Sequence, residues 1–95
     1  MKILAIEKDM PGVREGDYKP LLKSEAEKAW ELYKSGVIRE LYFSDKHYAV
    51  LMLECDSAGD ARGVLDSLPL VKERLIDFEI IPLQPYNGFE RLFEK

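Results

Sequence analysis

Two runs rich in β-branched and aromatic residues flank a short polar break in the middle of the chain. Residues 36–43 read Gly-Val-Ile-Arg-Glu-Leu-Tyr-Phe, 44–46 read Ser-Asp-Lys, and 47–55 read His-Tyr-Ala-Val-Leu-Met-Leu-Glu-Cys. This pattern predicts a β-hairpin, and the lack of an Asn-Gly or Asp-Gly pair predicts a loop longer than two residues. The second strand is apolar on both faces, so both faces need cover. Residues 2–8 predict a first strand, stopped by Asp9-Met10-Pro11-Gly12. The polar segment 11–19 has no period and reads as a loop. From about Pro20 to Ser35, Leu22, Ala26, Ala29 and Tyr33 recur at helical spacing, with Pro20 suited to the first turn and Gly36 to the C-terminal cap.

Beyond the hairpin, Ser57 with Asp60 three residues on is a helix-opening signature, and Ala61, Val64, Leu65 and Leu68 continue one apolar stripe to Pro69. Residues 70–75 read as a connector. A last strand runs from Leu75 or Ile76 to Leu83, and Pro82, which cannot donate to a ladder, places it at a sheet edge. Phe89, Leu92 and Phe93 give the C-terminal segment one apolar helical turn, too short to stand without docking on something. The order β-α-β-β-α-β is the split-βαβ, ferredoxin-like arrangement: an α+β fold with an antiparallel sheet and two helices on one face. The face without helices would be apolar, and an isologous dimer is the economical cover.

Ninety-five residues predict one domain, 1–95. An apolar content of 46% with 34% charged residues is that of an ordinary globular chain, and a net charge of −4 without basic runs argues against nucleic acid as a partner. The N-terminal apolar run Ile3–Ile6 is too short for a leader or a membrane span, which predicts a cytoplasmic protein. The single cysteine, Cys55, reads as a small buried hydrophobe rather than a nucleophile. One histidine and one cysteine make no metal-ligand pattern, and there is no Gly-rich phosphate loop, so the expectation is no cofactor.

The run Glu25-x-Glu27, Gly36-x-x-Arg39-x-Leu41, His47-Tyr48-Ala49, Ser57 and Leu65-x-x-Leu68-Pro69-Leu70 resembles the muconolactone isomerases over roughly residues 22–80. Those are small ferredoxin-like proteins that form dimeric α/β barrels and higher oligomers. The resemblance implies a cofactor-free isomerase that moves a double bond in an unsaturated lactone bearing a carboxylate. The chain departs from them at Ile38 and Tyr42, where they carry tryptophans, and in its C-terminal segment.

Such chemistry needs a base and an acid for two proton transfers, a cation for the carboxylate, and donors for charge developing on oxygen. His47, Tyr48 and Glu25 are the candidates for proton transfer. Arg39 alternates with Val37, Leu41 and Phe43, so its guanidinium is expected at the wall of an apolar cavity, where it would hold the substrate. Trp30, beside the apolar stripe of the first helix, is a second candidate for the substrate wall. The expected partners are a second copy of the chain and a small anionic ligand. The residues leave open two other readings: a non-catalytic oligomeric binding module of the same fold, and a cofactor-free monooxygenase.

Overall fold

Period-two burial builds the sheet. In the computed structural model, which describes residues 1–94, strand β1 (Lys2–Asp9) buries Ile3 and Ala5 completely and leaves Leu4 and Ile6 half-covered on its other side. Strands β2 (Ile38–Phe43) and β3 (Ala49–Glu54) form the hairpin, and β4 (Ile76–Pro82) closes the sheet. The strand order is β2-β3-β1-β4, all antiparallel, so β1 and β3 are central and Pro82 lies on an edge strand. This is the ferredoxin-like α+β arrangement the residue pattern implied.

Helix α1 (Glu15–Tyr18) and a 3-10 turn (Lys19–Leu21) lead into α2 (Leu22–Lys34), followed later by α3 (Ala58–Asp66) and α4 (Pro69–Lys72). Two stretches read as loop and connector, 11–19 and 70–75, thus each contain one helical turn. Helix α2 ends in a Schellman arrangement: Gly36, at φ 84°, donates to Tyr33 O and Val37 to Leu32 O, both at 3.1 Å. Ser57 caps α3 by accepting the Asp60 N–H at 3.1 Å. Arg62 ties α3 to the sheet, its Nη2 lying 2.9 Å from Asp77 and 3.0 Å from Asp66.

The core lies between the sheet and α3: Ile3, Ile38, Leu53 and Leu65 are its largest fully buried side chains. Helix α2 contributes no fully buried residue to it. The apolar stripe Leu22, Ala26, Ala29, Tyr33 faces open space instead, with Leu22 and Tyr33 about half exposed. The opposite sheet face carries two cross-strand rows, Glu40–Met52–Leu4–Ile81 and Tyr42–Val50–Ile6–Glu79. Among the described residues no helix covers their aliphatic members, which are partly buried. Cys55 is half-buried rather than sealed. Desolvation first, then the nearby Asp60, Asp56 and Glu54 charges, hold its thiol above the ordinary value, which keeps it protonated. No helix is long and apolar enough to cross a membrane among the described residues.

Candidate active site

The open stripe of α2 and the ends of three strands enclose a cleft of about 470 Å³, a size suited to a small ring compound. Its floor is Leu22, Ala26 and Ala29, and Phe43, Leu70 and Ile76 complete the apolar wall. Four polar groups enter it: Glu7, Glu25, Tyr18 and His47; Glu15 stands at the same opening.

Glu7 occupies the next position after Ile3 and Ala5 on the helix-facing side of β1. One place past the last β1–β3 pair, its carboxylate replaces a main-chain acceptor and takes the Ala49 N–H at 2.8 Å. Glu25 reaches from α2 to the start of α4, whose N-cap residue Leu68 offers no side-chain acceptor, and takes the Leu70 N–H at 2.9 Å. Each carboxyl keeps a second oxygen for other work. Desolvation holds both above the ordinary carboxylate value. The backbone donors oppose that shift, and Asp9 adds to it for Glu7 as the charge of Glu7 does for Glu25. The coupling is mutual: an ionised Glu7 makes Glu25 harder to ionise, and the reverse holds equally. The two carboxyls are thus placed to divide base and acid work between them.

Tyr18 comes from the helical turn in the segment read as a loop. Desolvation and then the charges of Asp9, Glu7 and Asp17 push its phenol up, so it stays a hydrogen-bond donor. His47 closes the hairpin turn. Its N–H donates to Ser44 O at 2.9 Å, and its backbone takes φ 63°, a region where Gly or Asn is the easier occupant. An imidazole held there, 5.9 Å from the Phe43 ring, is placed at the mouth of the cleft.

The structure brings two of the expected site residues together, His47 and Glu25, and separates the other three. Tyr48 turns to Asp9, donating its hydroxyl to Oδ2 at 2.6 Å beside the cleft rather than inside it. Trp30 stacks on Tyr33 at 5.9 Å and lines an adjoining groove with Leu41. Arg39 is the clear correction. A β-bulge between Ile38 and Glu40 breaks the alternation that would have aligned Arg39 with Leu41 and Phe43. The guanidinium stays exposed, its Nε donating to Gly36 O at 2.6 Å, and among the described residues no Lys or Arg lines the cleft. Among the described residues no cluster of three or more His, Cys, Asp or Glu could hold a metal ion.

Glu7 and Tyr18 were not singled out from the sequence. The signal for Glu7 was present: a carboxylate at period two after Ile3 and Ala5, on the face that the core claims. Tyr18 carried none, because its segment has no period.

No family model and no curated protein sequence matches the chain. Among solved structures, the fold is similar to that of a 5-chloro-2-hydroxyhydroquinone dehydrochlorinase from Burkholderia phenoliruptrix AC1100, in complex with 2,5-dihydroxybenzoquinone. The TM-score is 0.65 at 17% identity, over 93% of this chain and 98% of that one. The likeness agrees with the ferredoxin-like fold implied by the muconolactone isomerase resemblance.

Proposed function

We propose that the protein is a proton-transfer enzyme of the isomerase type, acting on a small, uncharged, unsaturated ring compound. The observation that carries this reading is the pair Glu7 and Glu25, each anchored by a backbone N–H in an apolar cleft and each held above the ordinary carboxylate range. Glu7, as carboxylate, removes a proton next to the conjugated system. Glu25, as acid, returns one at the far end of that system. The step leaves Glu7 protonated and Glu25 ionised, and exchange with water through the His47 mouth resets the pair. Tyr18 donates to negative charge growing on a ring oxygen. The step uses side chains alone.

The lining makes the ligand's charge specific. Three carboxyl groups, with no Lys or Arg beside them among the described residues, disfavour a substrate carboxylate, whereas ring hydroxyls or a lactone carbonyl find acceptors and a donor. The isomerase resemblance supports the reaction class, and the hydroxylated ring compounds named for the dehydrochlorinase are of the size this cleft admits.

Three probes in deuterated water test this: an unsaturated lactone carrying a carboxylate, its methyl ester, and 1,2,4-trihydroxybenzene. Proton NMR is expected to show protein-dependent exchange of ring protons in the ester and the trihydroxybenzene, and the slowest exchange in the free acid. Binding without exchange in all three would replace this reading with the binding module.

We also infer that two copies pair through the open sheet faces, which buries Leu4, Ile6, Val50, Met52 and Ile81 from both sides. Light scattering at micromolar concentration should give twice the chain mass or a multiple of it. A stable monomer would exclude the pairing.

A further inference from the structure

Residues 44–48 turn β2 into β3 without a glycine or an asparagine, and a single serine holds the turn. Ser44 donates its own N–H to Tyr48 O at 2.8 Å, and its carbonyl accepts the His47 N–H at 2.9 Å. Its hydroxyl oxygen accepts the N–H groups of Lys46 and Tyr48, each at 3.2 Å. The main-chain donors of residues 46, 47 and 48 thus all end on Ser44. The next ties run to β1. Tyr48 donates its hydroxyl to Asp9 Oδ2 at 2.6 Å, and Ala49 its N–H to Glu7 Oε1 at 2.8 Å. Turn and base carboxylate therefore share one hydrogen-bonded frame.

This frame keeps His47 at φ 63°. Gly or Asn would take that conformation at lower cost, and neither offers a group that carries a proton. A less suited residue persists in such a conformation where its surroundings over-determine it, and these places gather at functional sites. The imidazole lines the cleft and is exposed as well, so it borders both the carboxyl pair and water. It accepts a proton at one nitrogen while donating from the other, which no other group in the cleft does at separate atoms with one side chain held neutral.

We propose, on the proton-transfer reading of the cleft, that His47 carries the proton from Glu7 back to Glu25 between turnovers and that Ser44 is the residue that positions it. The Glu7 O–H breaks as an N–H forms on one imidazole nitrogen, and the N–H on the other nitrogen breaks as an O–H forms on Glu25. Charge and proton count are unchanged. Exchange with water at the exposed ring restores the first tautomer. Ser44 lies outside the cleft lining and acts only through the turn.

Ring-proton exchange of 1,2,4-trihydroxybenzene in deuterated water, followed from limiting to saturating probe, tests this. His47→Asn puts a residue at ease at φ 63°, so its urea midpoint should not fall below that of the parent chain. Its saturated rate should fall several-fold while its rate at limiting probe holds, because the reset follows product release. Free imidazole in the buffer should restore the saturated rate. Ser44→Ala should show the same split, and Ser44→Thr, which keeps the hydroxyl, should not. Ser44→Ala/His47→Asn should be no slower than His47→Asn alone. Exchange by the parent chain with an unchanged saturated rate in His47→Asn or Ser44→Ala would overturn the assignment and leave the proton-transfer reading standing. Losses equal at limiting and saturating probe, or indifferent to imidazole, would also overturn it, by showing a turn that only supports the fold. No exchange by the parent chain with any of the probes would overturn both.

Discussion

Replacing Glu7 with glutamine is expected to slow ring-proton exchange by about 10²–10⁴-fold, the usual weight of a positioned general base. The fold should survive, because the glutamine carbonyl can still accept the Ala49 N–H that Glu7 holds at 2.8 Å. Glu25→Gln keeps the Leu70 contact in the same way and should lose a comparable factor as the acid disappears. The charge of Glu7 raises Glu25, so in Glu7→Gln the Glu25 carboxyl should titrate closer to its ordinary value of 4.5, as followed by carbon-13 NMR. Stability carries the same signature. Both groups have folded pKa values above the ordinary ones, so the native state holds more protons than the unfolded chain as pH climbs above 4.5. Their contribution is most favourable below that pH, falls as pH rises through the raised values, and is constant beyond them. Urea midpoints measured across this range should therefore flatten in the double glutamine variant. A midpoint profile and an exchange rate both unchanged by either substitution would remove the pair from the mechanism.

Leu53→Ala is expected to cost about 2–5 kcal/mol, the range for truncating a leucine in a packed core. Leu53 is fully buried on central strand β3, paired with Ile3 on one side and Ile38 on the other, both of them also buried. No neighbour is free to collapse into the space, which places the cost high in that range. The urea midpoint should fall with little change in slope, since the surface exposed on unfolding is nearly the same. Phe43→Ala is the contrast. Its ring is 72% exposed at the cleft mouth, and its loss should change stability little. Equal losses at the two positions would mean that the core does not lie between the sheet and α3.

The sheet was legible because short apolar, β-branched runs bounded by turn signals mark its strands, and because Pro82 marks an edge without help from tertiary context. The helix at Leu22–Lys34 was legible from its apolar stripe, which floors a cleft in the structure. Periodicity shows that a face is apolar and is silent about what covers it. Arg39 was misplaced because a bulge adds one residue without leaving a mark in an alternating string. Glu25 and His47 were found as chemistry-bearing residues on predicted elements. The partner that makes Glu25 informative, Glu7, is distant in sequence and meets it only through the fold. The backbone donor of Leu70 was hidden too, since a four-residue helix has too little length to show a period.

The two sheet margins differ from the sheet's flat faces in one further respect. On β2 the bulge at Ile38–Glu40 puts two residues against one and displays the charge of Arg39, and on β4 Pro82 withholds a main-chain donor. Either device spoils the template that an incoming strand would need to extend the ladder. A concentrated solution of this chain should consequently resist fibrous growth, even though its apolar surface would otherwise invite it.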